Sequence, residues 1–294
     1  MTDDPARLLP IAVDLLESIH QHRLLSTRQL HALHTPHSSL RWTQRIAAAL
    51  ARRGLIDAVT VADGRRLHYV TAAGADAVAM LGTRAETRRT VIRAEQAAGP
   101  LRRHTLAVND VGVCFVRAAR DHDDQCGPLA WRHEIAHPIG SPPGQRHTEH
   151  VISDALLTYQ RTTPEQTSFH YRLIELDRAT MAADDLAAKL SRYARLYHHT
   201  PPDAEDPAPL WTKRYPVFPT VLVVLAGANR AALERRRRDV LALCALDQEL
   251  QDAPEVRIDL CLLADLQDAG PYAAIFHNPG APERPTDWLG GSIA

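Results

Sequence analysis

The sequence predicts a mixed α/β domain behind a smaller N-terminal unit that is mostly helical and closes with a β-hairpin. Three patterns lead there. Apolar positions recur at helical spacing through the first fifty residues, then give way to two short β-rich runs around Asp63-Gly64. Residues 129–177 hold three strand-like segments in succession, as in a meander. From residue 184 onward helical and strand-like segments alternate, which points to a parallel crossover in the same sheet.

Taken in order, residues 8–22 form the first helical pattern. Ser26, with Thr27 as a second candidate, caps a short helix STRQLHALH. After a turn containing Pro36, Ser38 or Ser39 starts a third helix, LRWTQRIAAALARRGLI, and Gly54 is placed to stop it. VTVADGRRLHYVTAAG then reads as a hairpin with its turn at Asp63-Gly64. Three helices followed by a hairpin are the pattern of a winged helix-turn-helix. The third helix carries Arg41, Thr43, Gln44, Arg45, Arg52 and Arg53, and the hairpin tip carries Arg65 and Arg66. Basic and amide side chains there suit a helix in the major groove of double-stranded DNA and a tip on its phosphates. A winged helix used for protein contacts is the alternative.

Residues 84–100 are charged and helical and end in Gly99-Pro100. Beyond them come an amphipathic helix (104–121), strands over 129–139, 150–159 and 168–177, a strong helix over 184–199 and a Pro-rich loop over 201–216. A nearly all-apolar strand (218–227) suits the centre of a sheet. A helix (228–250), a strand (256–265) and a short strand-like YAAIFHN complete the chain. The expected organisation is a winged helix over 1–82, a helical connector over 83–100 and the α/β domain over 101–294.

Composition narrows the function classes. The 294 residues carry a formal net charge of −1, so any nucleic-acid surface is a local patch. No run of 18 apolar residues occurs, so no membrane span is expected. Four scattered cysteines without a CxxC pair, and acids near the N-terminus, favour a reduced, cytoplasmic setting. Phosphate-loop and nucleophile-elbow motifs are missing from the sequence. HTEH (147–150) lies in a turn-rich region without helical geometry, where surface histidines are expected. ERRRRD (234–239) is read as the solvated face of a long helix.

The chemistry concentrates on the second and third strands and the helix after them. Asp154 interrupts the apolar strand VISDALL, and Glu175 and Asp177 of LIELD share one strand face. Carboxylates in apolar strands are costly unless paired or bound to a cation, and a hard divalent ion such as Mg²⁺ (or Mn²⁺) prefers such oxygen ligands. Of 34 basic residues only Lys189 and Lys213 are lysines. Lys189 and Tyr193 are four apart on the following helix and project from one side. The plainer reading makes Asp154 a turn or cap residue and pairs Asp177 with Arg172 or Arg192.

The order helix–strand–strand–strand–helix–strand, with Asp154 and then Glu175-Leu-Asp177, resembles the PD-(D/E)xK nuclease fold. Ser153 stands where that motif has Pro, and Asp177 where it has Lys. Some branches of the fold move the lysine onto the following helix and others carry QxxxY there; KLSRY (189–193) resembles a mixture. The chain also resembles the replication-relaxation family of plasmids and conjugative elements, through HTLAVNDV, WRHE, SDALL, IELDRAT and a KLxxY helix in that order.

The resemblance implies a role in plasmid replication, relaxation or transfer. It implies Asp154, Glu175 and Glu134 of WRHE as metal ligands, and Asp177 as an auxiliary ligand. Lys189 would be a water-positioning or charge-stabilising group in metal-assisted phosphodiester hydrolysis. Tyr193 is expected to pack or orient, with a nucleophilic role as the alternative. Double-stranded DNA is the expected partner, with a second copy of the chain or replication and transfer proteins beside it. A metal-dependent nickase or endonuclease, and a non-catalytic regulator or accessory factor with a degenerate nuclease fold, are the two functions that fit.

Overall fold

The computed structural model describes residues 8–81, 97, 99, 102–140, 148–201 and 208–291. Chain contacts divide it into two compact units. Residues 1–117 with 126–130 form the first, and residues 118–125 with 131–294 the second. Most of the expected connector over 83–100 lies outside the described residues.

The first unit runs α1 (Pro10–His22), β1 (Leu25–Ser26), α2 (Thr27–His34), α3 (Leu40–Arg52), β2 (Ile56–Thr60), β3 (Arg66–Val70) and α4 (Ala72–Met80). Helix α2 begins where the sequence places it. Ser26 Oγ accepts from Gln29 N at 3.2 Å, and Gln29 Oε1 accepts from Ser26 N at 2.9 Å, a reciprocal capping box. Gly54 ends α3 with φ +69°, a backbone conformation a side chain would strain. Strands β2 and β3 pair antiparallel around the Asp63-Gly64 turn. Strand β1, only two residues long, adds to the other side of β3, giving the order β1-β3-β2. The sequence pattern is silent on β1 and α4: one is too short for a period, the other is apolar nearly all round.

Helix α5 (Arg102–Asp121) has its first turns in this unit. Buried Asn109 donates from Nδ2 to Leu24 O at 2.9 Å, and Gln29 Nε2 donates to Leu106 O at 2.9 Å and to Asp110 Oδ1 at 2.7 Å. Leu106 packs in one apolar cluster with Leu24, Leu67 and Tyr69, so the motif HTLAVNDV serves to dock this helix on the hairpin.

In the second unit β4 (Trp131–Pro138), β5 (His150–Thr162) and β6 (Thr167–Asp177) pair antiparallel. Helix α6 (Ala183–His198) leads to β7 (Thr220–Leu225), parallel to β6. Helix α7 (Arg230–Leu246) and the single turn α8 (Gln248–Gln251) lead to β8 (Ile258–Leu262), parallel to β7, and α9 (Leu263–Ala269) follows. The result is one mixed five-stranded sheet in sequential order β4-β5-β6-β7-β8. The mixed α/β architecture and the meander followed by parallel crossovers are as the sequence predicts.

One sheet face is covered by α6 and α7. Leu186, Leu190 and Tyr193 of α6 and Leu233, Val240 and Leu241 of α7 share a core with Leu156, Leu173, Val221, Val223, Leu225 and Leu260. Each such side chain contributes roughly 1.5–3 kcal/mol of burial. The C-terminal segment is fastened to the strands chiefly through Trp288. Buried Arg172 donates from Nη2 to Trp288 O at 2.7 Å and lies 4.8 Å from its ring centre, and Tyr159 meets the same ring edge-on at 4.6 Å. The expected terminal strand is reduced to two isolated bridges, Leu260 with His277 and Phe276 with Thr286.

Candidate functional site

The strand register builds a row of acids. Ladder pairs Arg132–Leu156, His133–Ala155 and Ile135–Ser153 bracket Glu134 and Asp154, so these two stand opposite each other on β4 and β5. The β5–β6 ladder ends at Ala155–Ile174, one residue short of Asp154 and Glu175. Asp154 extends that ladder with its side chain: Oδ2 accepts from Leu176 N at 2.7 Å. Asp154 is therefore a strand residue, neither a turn nor a cap.

Glu175 is 2% exposed. Its two oxygens are engaged by the two residues that α6 presents on one side. Lys189 Nζ donates to Oε2 at 2.5 Å, and the Tyr193 hydroxyl donates to Oε1. Burial pushes the Glu175 carboxyl up to about 7; Lys189 pulls against that rise and nearby Asp154 adds to it. Tyr193 is wholly buried, and burial with the Glu175 carboxylate drives its hydroxyl well above the ordinary range. A phenol so enclosed, donating to one carboxylate oxygen, orients that carboxylate.

The expected auxiliary ligand, Asp177, has an arginine partner. Asp177 is 5% exposed, but its carboxylate is held by Arg236 of α7, with Nη2 donating to Oδ1 at 3.2 Å and Nε to Oδ2; Ala179 N donates to Oδ1 at 3.1 Å. Gly227, at the end of β7 with φ +85°, lets the chain pass here: a Cβ would come within 2.7 Å of Arg178 O. Arg236 comes from the run ERRRRD, where a charge pattern alone gave no sign of a buried partner.

Glu134 is the third expected ligand. It is exposed, and its φ of +53° puts a non-glycine residue in left-handed backbone in mid-strand. Among the described residues no three His, Cys, Asp or Glu side chains gather closely enough to hold a metal ion. Asp154 and Glu175, on neighbouring strands, are the two expected ligands that the register brings to one end of the β5–β6 ladder. Two hard oxygen donors fit Mg²⁺ or Mn²⁺, ions that keep several waters and commonly use one or two carboxylates.

In the first unit α3 buries Thr43, Ile46, Ala47 and Leu50, one stripe at helical spacing. Thr43 is fully buried, its hydroxyl 2.6 Å from Thr35 Oγ1 and 3.1 Å from His31 Nδ1. This corrects its expected contact role; its spacing from Ile46 and Leu50 already marks it as inward. Arg41, Gln44, Arg45, Ala48 and Arg52 are exposed. The Arg45 guanidinium lies 5.0 Å from the Trp42 ring centre. At the hairpin tip Arg65 and Arg66 are exposed, and Arg65 pairs with Asp63 at 2.8 Å.

A small helical unit with a basic helix face, joined to an α/β unit with an acid–lysine–tyrosine cluster at its sheet, defines the class. The family model described as replication-relaxation matches residues 16–206, more than half of the chain. The chain belongs to the replication-relaxation family. No curated protein and no solved structure matches it. Among the described residues no helix is long and apolar enough to cross a membrane.

Proposed function

We propose that this chain is a DNA-binding protein of plasmid or mobile-element replication or transfer, and that its second unit is a metal-dependent DNA nickase or endonuclease of PD-(D/E)xK type. Family membership supports the setting. The observation that carries the chemistry is Lys189 on buried Glu175, beside Asp154 on the neighbouring strand. The lysine comes from the helix instead of the strand, and α6 carries it to the carboxylate.

In this reading Asp154 and Glu175 would hold Mg²⁺ or Mn²⁺, which when bound would supply positive charge to polarise a phosphodiester and favour ionisation of water. Leu176 N fixes the Asp154 carboxylate through Oδ2, and Tyr193 fixes Glu175 through Oε1. Lys189 Nζ supplies a mobile cation at Oε2, able to orient water or to offset charge on a phosphoryl oxygen. The first unit, read as a winged helix, offers Arg41, Gln44 and Arg45 to the major groove and Arg66 to phosphates. The test is cleavage or relaxation of supercoiled plasmid by the purified chain with Mg²⁺ or Mn²⁺. Activity abolished by Asp154→Ala and by Glu175→Ala supports the reading. Binding of a cognate plasmid site without cutting under any divalent ion refutes the nuclease part.

One observation favours the second reading, a non-catalytic regulator: both Glu175 oxygens already have partners, and Asp177 stands where the strand lysine of the motif belongs. Replacing Arg41, Arg45 and Arg65 would then abolish function while Glu175→Ala stayed silent.

A further inference from the structure

A second group of polar side chains lies on the same sheet face. Arg132, Ile135, Arg214 and Tyr215 line a cavity of about 350 Å³. That is at the low end of the range of about 300–1,000 Å³ usual for small-ligand sites, and this one is walled by two guanidinium groups. Arg132 pairs directly with Leu156 in the β4–β5 ladder, and residues opposite each other in a ladder share a face. Leu156 belongs to the core beneath α6, and Asp154 lies two residues earlier on the same strand. Arg132 therefore stands two register positions from Asp154 along the β4–β5 ladder.

Tyr215 is the buried member of the cavity lining. It is 5% exposed, its hydroxyl lies 2.8 Å from His137 Nε2, and its ring meets Tyr171 of β6 at 5.5 Å between centres. It is also near enough to Tyr193 to influence that hydroxyl. Arg214, just after the 3₁₀ turn Leu210–Lys213, donates from Nη1 to Ala136 O at 3.3 Å, which holds one edge of its guanidinium against β4. Both arginines are exposed at the cavity mouth and act electrostatically on Tyr215.

We propose that this cavity is a phosphate subsite. It takes one backbone phosphate of a nucleic-acid strand whose neighbouring phosphodiester lies over Asp154 and Glu175. The inference rests on the nuclease-like reading of that cluster. Two guanidinium groups beside two carboxylates explain how a polyanion is drawn to an acidic centre. Planar guanidinium groups pair with phosphate oxygens through two parallel hydrogen bonds, and the buried tyrosine sets the floor.

The test uses the full chain carrying Arg41→Gln and Arg45→Gln, so that the α3 face contributes little. A fluorescein-labelled 12-nucleotide single strand of mixed sequence is titrated by anisotropy across a salt series without divalent ions. Arg132→Gln and Arg214→Gln are each expected to weaken binding about tenfold. Each is also expected to reduce the slope of log K against log salt by about 0.7, the value for one phosphate contact on a single strand. Arg132→Lys and Arg214→Lys should keep the slope while binding less tightly, a split that a merely structural role would not give. Unchanged affinity and slope in both glutamine variants overturn the proposal, and so does a parent chain that does not bind the strand. Failure of the nuclease reading shows separately: the strand stays uncut with Mg²⁺ and Mn²⁺ while the arginine-dependent slope persists.

Discussion

Lys189 Nζ lies 2.5 Å from Glu175 Oε2, across fourteen residues and the β6–α6 turn. The lysine side chain is 29% exposed and the glutamate 2%, so one end of the pair meets water and the other the sheet core. Such a pair is costly to break from one side, because the remaining buried charge loses its compensation.

Lys189→Met is therefore expected to lower stability by about 2–3 kcal/mol at pH 8, as measured by urea unfolding. The loss should shrink toward pH 5. Glu175 has a folded-state pKa raised to about 7, so it takes up a proton in the folded chain before the unfolded one does. Its contribution to stability is then largest at low pH and falls as pH rises through 7. Glu175→Gln should flatten that fall and become relatively more stable than the parent above pH 7. A Lys189→Met penalty independent of pH would show that the pair does not govern this carboxyl.

Asp177 is expected to act in stability, not in metal binding. Asp177→Ala leaves Arg236, whose side chain is 11% exposed, without its carboxylate and should cost about 3 kcal/mol. Asp177→Leu with Arg236→Met should recover most of it, since an apolar pair of similar volume avoids desolvating two charges. Metal affinity measured by Mn²⁺ titration should be unchanged in the double variant. A large loss there would return Asp177 to the ligand set.

Glu134 stores backbone strain in mid-strand. Glu134→Gly is expected to keep or raise the melting temperature, because relief of about 1 kcal/mol offsets the entropy of an added glycine. If the bend serves the reaction, cleavage falls while stability does not. A glycine variant that is markedly less stable would mean that the glutamate side chain itself holds the strand.

On α3, Arg41→Gln should weaken binding of a cognate duplex by about 1–3 kcal/mol and relax its sequence preference, if that helix reads base edges. Thr43→Val should destabilise the fold by about 1 kcal/mol through the lost Thr35 and His31 contacts while leaving DNA preference unchanged. Gel-shift titrations beside thermal unfolding separate the two effects. A Thr43→Val variant that is fully stable but changes preference would restore Thr43 as a contact residue.

Much of the architecture was legible because period and punctuation act locally. Ser26 with Gln29, the Gly54 stop, the Asp63-Gly64 turn and the apolar run at 220–225 each announce an element without reference to anything distant. The carboxylates were legible too, since an acid in an apolar strand needs a partner. The identity of that partner was not. Asp177 could be matched to several arginines by spacing, and Arg236, fifty-nine residues away, is chosen only by the packing of α7 on the sheet.

The sequence by itself determined the mixed α/β order and the family, and singled out Asp154, Glu175 and Lys189 as candidates. The tertiary structure alone decided which carboxylate the lysine and Tyr193 seize, that Thr43 turns inward, that Asp177 belongs to Arg236, and that Arg132 and Arg214 meet over one cavity. Local rules act through backbone geometry over a few residues. The encounter of side chains from distant elements depends on strand register and helix packing, which a linear pattern does not encode.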